Sequence, residues 1–194
     1  WYDPEEGHEP GFLYQQNSLR DALVVALNFN IFHRHTRRLH MANIAQTVNV
    51  LQAVVLTEGD KAIKTPTYHA FMLYKPVMDA TFIPVEFDDL SDYELGAVSV
   101  PHLSASAART ADGDLVVAVV NLHPRETAEF AGRFEGFNAT SASGQTLTAG
   151  AIDAHNTFDA PNTVKPEPAQ LELDDGVLGR TLPAKSVTVI TLKQ

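Results

Sequence analysis

The sequence predicts two architectures in one chain: an α/β segment, helix–strand–helix, in residues 1–78, and an all-β, jelly-roll-like sandwich in residues 79–194. Two observations carry this. In the first third, apolar residues recur at helical spacing behind two capped starts, Ser18 and Thr65-Pro66. Beyond about Met78 the apolar residues gather instead into short runs, separated by Asp112-Gly-Asp114, Gly136-Phe-Asn138, Asp175-Gly176 and Pro183. Many short strands with such punctuation indicate a sandwich.

Residues Trp1 to Gly11, with two prolines, two glycines and three glutamates, read as a loop. Ser18-Leu-Arg-Asp21 has capping-box spacing, with Asp in place of the usual Glu or Gln. Behind it Leu19, Ala22, Leu23, Ala26, Leu27 and Ile31 mark one buried helical face. The helix ends in His-Arg-His-Thr-Arg-Arg, cations where the negative end of its dipole favours them. Leu39 to Gln46 is expected as a short strand buried between a barrel interior and a helix layer. After a loop through Thr57-Glu-Gly-Asp60, Thr65 caps a second helix with proline at its first position, running to Pro76. The strand candidates that follow are 81–87, 115–122, 129–134, 145–152, 171–173, 177–181 and 186–192.

Composition bounds the function. The 194 residues are 44% hydrophobic and 20% charged, enough to bury a core. Fourteen Lys and Arg against 24 Asp and Glu give a net charge of −10, which argues against a nucleic-acid partner. No run approaches the ~18 apolar residues of a membrane span. Cysteine is absent, so there is no disulfide framework, thiolate metal site or cysteine nucleophile, in keeping with a cytoplasmic location. The opening Trp-Tyr-Asp-Pro-Glu-Glu has neither an initiator Met nor signal-peptide character, as expected of a segment internal to a longer protein.

Few motifs carry chemistry. Glu5, Glu6 and Glu9 could supply a glycosidase pair, but spacing does not establish the ~5–9 Å separation such chemistry needs, and exposed Glu is the default. His33 and His35, two apart on a helix, point to nearly opposite sides, so no metal site is expected and a solvated or capping role is. Ser104-Ala-Ser106 lacks the nucleophile-elbow pattern, and no glycine-rich phosphate loop is present, so no cofactor is expected. Asp153 to Thr157 and Asn162 read as a loop held by Asx-turns or as a rim ligand site. Gln46 differs: an amide at the C-terminal end of a barrel strand can donate to and accept from adjacent sugar hydroxyls, where barrel enzymes place their sites. Bonding of a buried Gln to backbone is the competing role.

Met41 to Ala53 (MANIAQTVNVLQA), with Trp1-Tyr2, GFLYQQNSLRDAL at 11–23, TPTYHAFMLYK at 65–75, DAHNTF at 153–158 and PAKSV at 183–187, resembles the family 51 glycoside hydrolases, the α-L-arabinofuranosidases. The likeness runs in order over essentially the whole chain. It implies the last two βα units of a (β/α)8 TIM barrel followed by a C-terminal β-sandwich. It also implies a retaining enzyme that releases terminal α-L-arabinofuranosyl groups from arabinan, arabinoxylan or oligosaccharides, in homo-oligomers that in relatives are hexamers. Both catalytic glutamates would lie upstream of Trp1, in the partner portion of the same enzyme, leaving no catalytic residue here. Gln46 matches the family's sugar-binding glutamine, Trp1 matches an aromatic at the site's rim, His8 lies in the nearby loop, and Asn49 is either a further sugar contact or a backbone cap. The competing expectation is a carbohydrate-binding or interaction module without catalysis. It is disfavoured because residues 79–194 contain no Trp and only Tyr93 as a platform for sugar.

Overall fold

The computed structural model describes residues 17–45, 47–51 and 53–194. In chain order the elements are α1 (Leu19–His33), β1 (Val55–Glu58), β2 (Lys61–Lys64), α2 (Pro66–Tyr74), β3 (Thr81–Ile83), β4 (Asp92–Leu95), β5 (Val98–Pro101), β6 (Leu103–Arg109) and β7 (Leu115–Asn121). These are followed by β8 (Ala128–Gly132), β9 (Ser141–Leu147), β10 (Glu167–Pro168), β11 (Glu172–Asp174), β12 (Val177–Leu182) and β13 (Ser186–Lys193).

A six-stranded antiparallel sheet, β10-β9-β13-β7-β6-β3, forms the centre. A three-stranded sheet, β11-β12-β8, covers one face and α1 with α2 covers the other. The period of two in β7 explains why it is buried throughout. Val116, Ala118 and Val120 meet Leu19, Ala22, Leu23 and Ala26 of α1, whereas Leu115, Val117 and Val119 meet Leu178 and Leu182 of β12. β13 divides in the same way, with Val187 and Val189 toward the helices and Ile190 and Leu192 toward the smaller sheet. Gly144 of β9 is required where that strand pairs with β13, because a Cβ there would stand 2.7 Å from the Val189 carbonyl oxygen.

Both helix starts form as the sequence dictates. The Ser18 N–H donates to Asp21 Oδ2 at 2.7 Å, closing the capping box, and Thr65 Oγ1 accepts from the Tyr68 N–H at 3.3 Å. The predicted face of α1 is buried at Leu19, Ala22, Leu23 and Ala26, but Ile31 is 42% exposed. The buried part of this face is covered by the central sheet and α2.

The structure differs from expectation in several places, the unforeseen β4–β5 hairpin among them. Residues 39–45 form no strand, since a strand requires a ladder partner and none is present among the described residues. Thr57 to Asp60, read as a loop, is the end and turn of the β1–β2 hairpin. The small-residue stretch around Ser104-Ala-Ser106 is β6, a central strand.

Candidate functional site

Of the expected sugar-contacting residues, Trp1, His8 and Gln46 lie outside the described residues, as do Glu5, Glu6 and Glu9. Asn49 is described, and its surroundings define the local geometry. It is exposed, with φ 61°, and Leu51 follows with φ 53°. Its side chain faces Thr57 of β1: Asn49 Nδ2 donates to Thr57 Oγ1 at 2.9 Å, and the Thr57 N–H donates to Asn49 Oδ1 at 2.7 Å. Both ends of the amide are therefore engaged by one residue.

The rest of this turn is held as firmly. The Val54 and Val55 N–H groups converge on the Thr47 carbonyl at 3.2 and 3.1 Å, and the Asn49 N–H reaches the Val55 carbonyl at 3.2 Å. Val48 and Val55 pair as an isolated parallel bridge. Behind them the carbonyl of fully buried Ala53 accepts from Asn17 Nδ2 at 2.6 Å and from Thr65 Oγ1 at 3.0 Å, tying the turn to the starts of both helices.

Other polar groups weighed from sequence have structural roles. Ser104 and Ser106 point from β6 into α1, where Asn30, fully buried, donates through Nδ2 to the Ser104 carbonyl at 3.0 Å and Ser104 Oγ at 3.2 Å. Asn30 Oδ1 accepts from Ser106 Oγ and Tyr74 Oη, both at 2.8 Å. His33 Nδ1 lies 2.8 Å from Ser106 Oγ. The Ser106 hydroxyl donates its one hydrogen to Asn30 Oδ1, so in the bond between them His33 donates to Ser106. The expectation of a solvated or capping His33 is thus corrected: it turns inward, and burial lowers its pKa. Burial likewise raises the Tyr74 hydroxyl far above its ordinary value, against a smaller opposing effect of the Asn30 bond. A buried Ser–His pair resembles a nucleophile and its base, but Ser106 is 2% exposed and no substrate can reach it.

Within the rim loop, Asn156 has a structural role. It is buried, its Nδ2 donates to the Lys64 and Val164 carbonyls at 2.8 and 2.9 Å, and its Oδ1 accepts from the Val164 N–H at 2.7 Å. Tyr93, partly buried, packs edge-to-face with His123, the ring centroids 4.9 Å apart. A cavity of about 590 Å³ between α1 and residues 82–105 is lined by Leu27, Ile31, Phe82, Phe87 and Leu90. It contains none of the expected site residues. Among the described residues no cluster of His, Asp or Glu has the geometry to hold a metal ion, and no helix is long and apolar enough to cross a membrane.

A sequence model of the alpha-L-arabinofuranosidase C-terminal domain matches residues 1–186. The chain belongs to this family. It is 39% identical over its whole length to the intracellular exo-alpha-L-arabinofuranosidase of Bacteroides ovatus, spanning 38% of that protein. It is 28% identical over 95% of its length to the exo-alpha-(1->6)-L-arabinofuranosidase of Bifidobacterium longum, spanning 36% of it. The GH51 arabinofuranosidase of Xanthomonas axonopodis pv. citri superposes with a TM-score of 0.95 and 45% identity, over all of this chain and 39% of that one. The alpha-L-arabinofuranosidase of Thermotoga maritima, solved as an arabinose complex, gives a TM-score of 0.82 at 25% identity, over all of this chain and 41% of that one. The chain therefore spans about two fifths of each of these relatives.

Proposed function

We propose that this chain is the C-terminal portion of a retaining exo-α-L-arabinofuranosidase that releases terminal α-L-arabinofuranosyl groups from arabinan, arabinoxylan or arabino-oligosaccharides. The observation that carries the reading is the likeness to the Xanthomonas enzyme over the whole of this chain and less than half of that one. In the complete enzyme, residues 1–78 would be the last part of a (β/α)8 barrel and 79–194 its sandwich. Apolar side chains left uncovered before Met78 support this: Val24 is 53%, Met41 75% and Val48 44% exposed. An isolated domain leaves such surface bare, and an adjoining barrel would cover it.

The chemistry follows from retention. One upstream carboxylate attacks the anomeric carbon while the other protonates the leaving oxygen, and water then resolves the glycosyl-enzyme. This chain's contribution is positioning, with Gln46 as the amide that binds adjacent hydroxyls of the arabinose ring and Trp1 and His8 near the rim. A hydrogen bond from Gln46 that strengthens toward the oxocarbenium-like transition state is worth ~1–3 kcal/mol, or roughly ten- to a hundredfold in rate. The likeness to family members also leads us to propose homo-oligomeric assembly and a cytoplasmic location for the complete protein.

The test is arabinose release from an arabino-oligosaccharide. The complete enzyme should release it, with products retaining the anomeric configuration, whereas residues 1–194 alone should not. Release by the 194-residue chain alone would place the catalytic carboxylates within it and overturn the assignment.

A further inference from the structure

We infer that the β4–β5 hairpin is a self-docking element, whose apolar tip seats in the cavity between α1 and residues 82–105 of a second copy of the complete enzyme. The inference deepens the proposal of homo-oligomeric assembly and rests on it. β4 and β5 pair only with each other, and their last cross-strand pair is Leu95 with Val98, joined through Gly96 and Ala97. Leu95 is 68% and Val98 63% exposed. A two-stranded ribbon is at best marginally stable in water, so one that carries an apolar pair at its tip gains from a surface that covers it.

The base of the ribbon is anchored: Tyr93 packs on His123, and the His102 N–H donates to the Ser91 carbonyl at 2.9 Å. The steps from Asp92 to Leu95, at ~3.3 Å each, carry the tip about 10 Å from that base. Pro101, the register partner of Asp92, lines the cavity, whereas Leu95 and Val98 do not. The cavity therefore lies beside the base of the ribbon. A two-fold axis gives both copies the same contact, each tip entering the other's cavity.

The receiving surface suits this tip in polarity and charge. Leu27 and Ile31 of α1, with Arg34 at its C-terminal cap, follow one helical face and line the cavity together with Phe87 and Leu90. Exposed Arg37 and Arg38 follow Arg34, while the ribbon carries exposed Asp92 and Glu94 behind exposed Asp88 and Asp89. Among the described residues Arg34, Arg37, Arg38, Asp88, Asp89 and Glu94 form no ion pair. With a net charge of −10, two copies of this chain repel in most orientations. Bringing the acidic ribbon to the cationic end of α1 reverses that repulsion and fixes the register, which selects a second copy as the occupant.

Sedimentation of the complete enzyme over a concentration series provides the test, using L95E/V98E, R34E, E94R and R34E/E94R. L95E/V98E should raise the dissociation constant of one subunit contact at least about tenfold and step the assembly down to smaller species, with Tm unchanged. R34E and E94R should each weaken the contact about three- to tenfold, and R34E/E94R should restore it to within about twofold. An assembly unchanged in L95E/V98E overturns the inference, and a fall in Tm without a change in assembly would place the tip against the upstream portion of its own subunit instead. Losses in R34E/E94R that simply add would overturn it equally. If the wild type itself sediments as a monomer at micromolar concentration, the reading of homo-oligomeric assembly has failed instead.

Discussion

Replacing Asn30 with alanine removes the hub that joins α1, α2 and β6, and the structure sets the scale of the loss. Asn30 is fully buried and makes four hydrogen bonds: two donated to Ser104, one accepted from Ser106 and one from Tyr74. After truncation Tyr74 Oη keeps its bond to the Ala26 carbonyl at 3.2 Å, while Ser106 Oγ keeps the bond it accepts from His33 but loses the acceptor of its own hydroxyl hydrogen. Ser104 Oγ loses its Asn30 partner in a buried setting. A buried polar group left unsatisfied costs ~1–3 kcal/mol, and the vacated side-chain volume adds to that, so the expected loss is about 2–4 kcal/mol. On a domain of this size that corresponds to roughly 5–10 °C in Tm. Thermal unfolding of the complete protein measures it, with Asn28→Ala as the control: Asn28 is on the same helix but exposed, and donates to its own helix at the Val24 carbonyl. The control should stay within about 0.5 kcal/mol of wild type. If Asn30→Ala behaves like the control, the polar hub is not what fastens the helices to the sheet.

Three further outcomes follow from the same structure. Gly144→Ala should destabilise by about 1–3 kcal/mol in denaturant unfolding, because its Cβ would meet the backbone of β13 rather than a yielding side chain. Burial lowers the pKa of His33, and burial followed by Lys64 lowers that of His69. Their stabilising contribution is therefore complete above the unfolded imidazole value of about 6.5, and falls as pH drops through it, where the unfolded chain takes up protons that the folded chain does not. Stability measured between about pH 7.5 and 5 should decline, and His33→Gln should flatten part of that slope. At the alkaline end the sign reverses for Tyr74, whose raised pKa means that stability is lost as pH rises above about 10, a loss that Tyr74→Phe should diminish in pH-dependent unfolding.

How much could be read from sequence depended on whether local signals and tertiary partners agreed. Ser18 with Asp21, and Thr65 with Pro66, specify their helix starts by bonds made within three residues, so both were legible. The β-branched runs of β7 and β13 were equally plain, because being buried on both faces makes a strand apolar throughout. β6 was not legible, since Leu-Ser-Ala-Ser-Ala-Ala-Arg is poor in strand-forming side chains. Its serines make sense only once Asn30 is opposite them, and in the sequence Asn30 interrupts an apolar helix rather than announcing a buried hub. Leu39 to Ala45 shows the converse: a strand-like pattern stays unpaired among the described residues, because pairing is not a local property. For the site, Gln46, Trp1 and His8 rest on family likeness and strand-end chemistry. The partner of Asn49, Thr57, lay in a segment read as loop and became visible only with the β1–β2 hairpin.

The central claim is that this chain serves an arabinofuranosidase through Gln46 while the reacting carboxylates lie upstream. The kcat/KM of the complete enzyme with Gln46→Ala, on an arabinofuranoside, tests it most directly. A fall of roughly ten- to a hundredfold is predicted, in line with one lost transition-state hydrogen bond of ~1–3 kcal/mol. A value within about twofold of the wild type would contradict it.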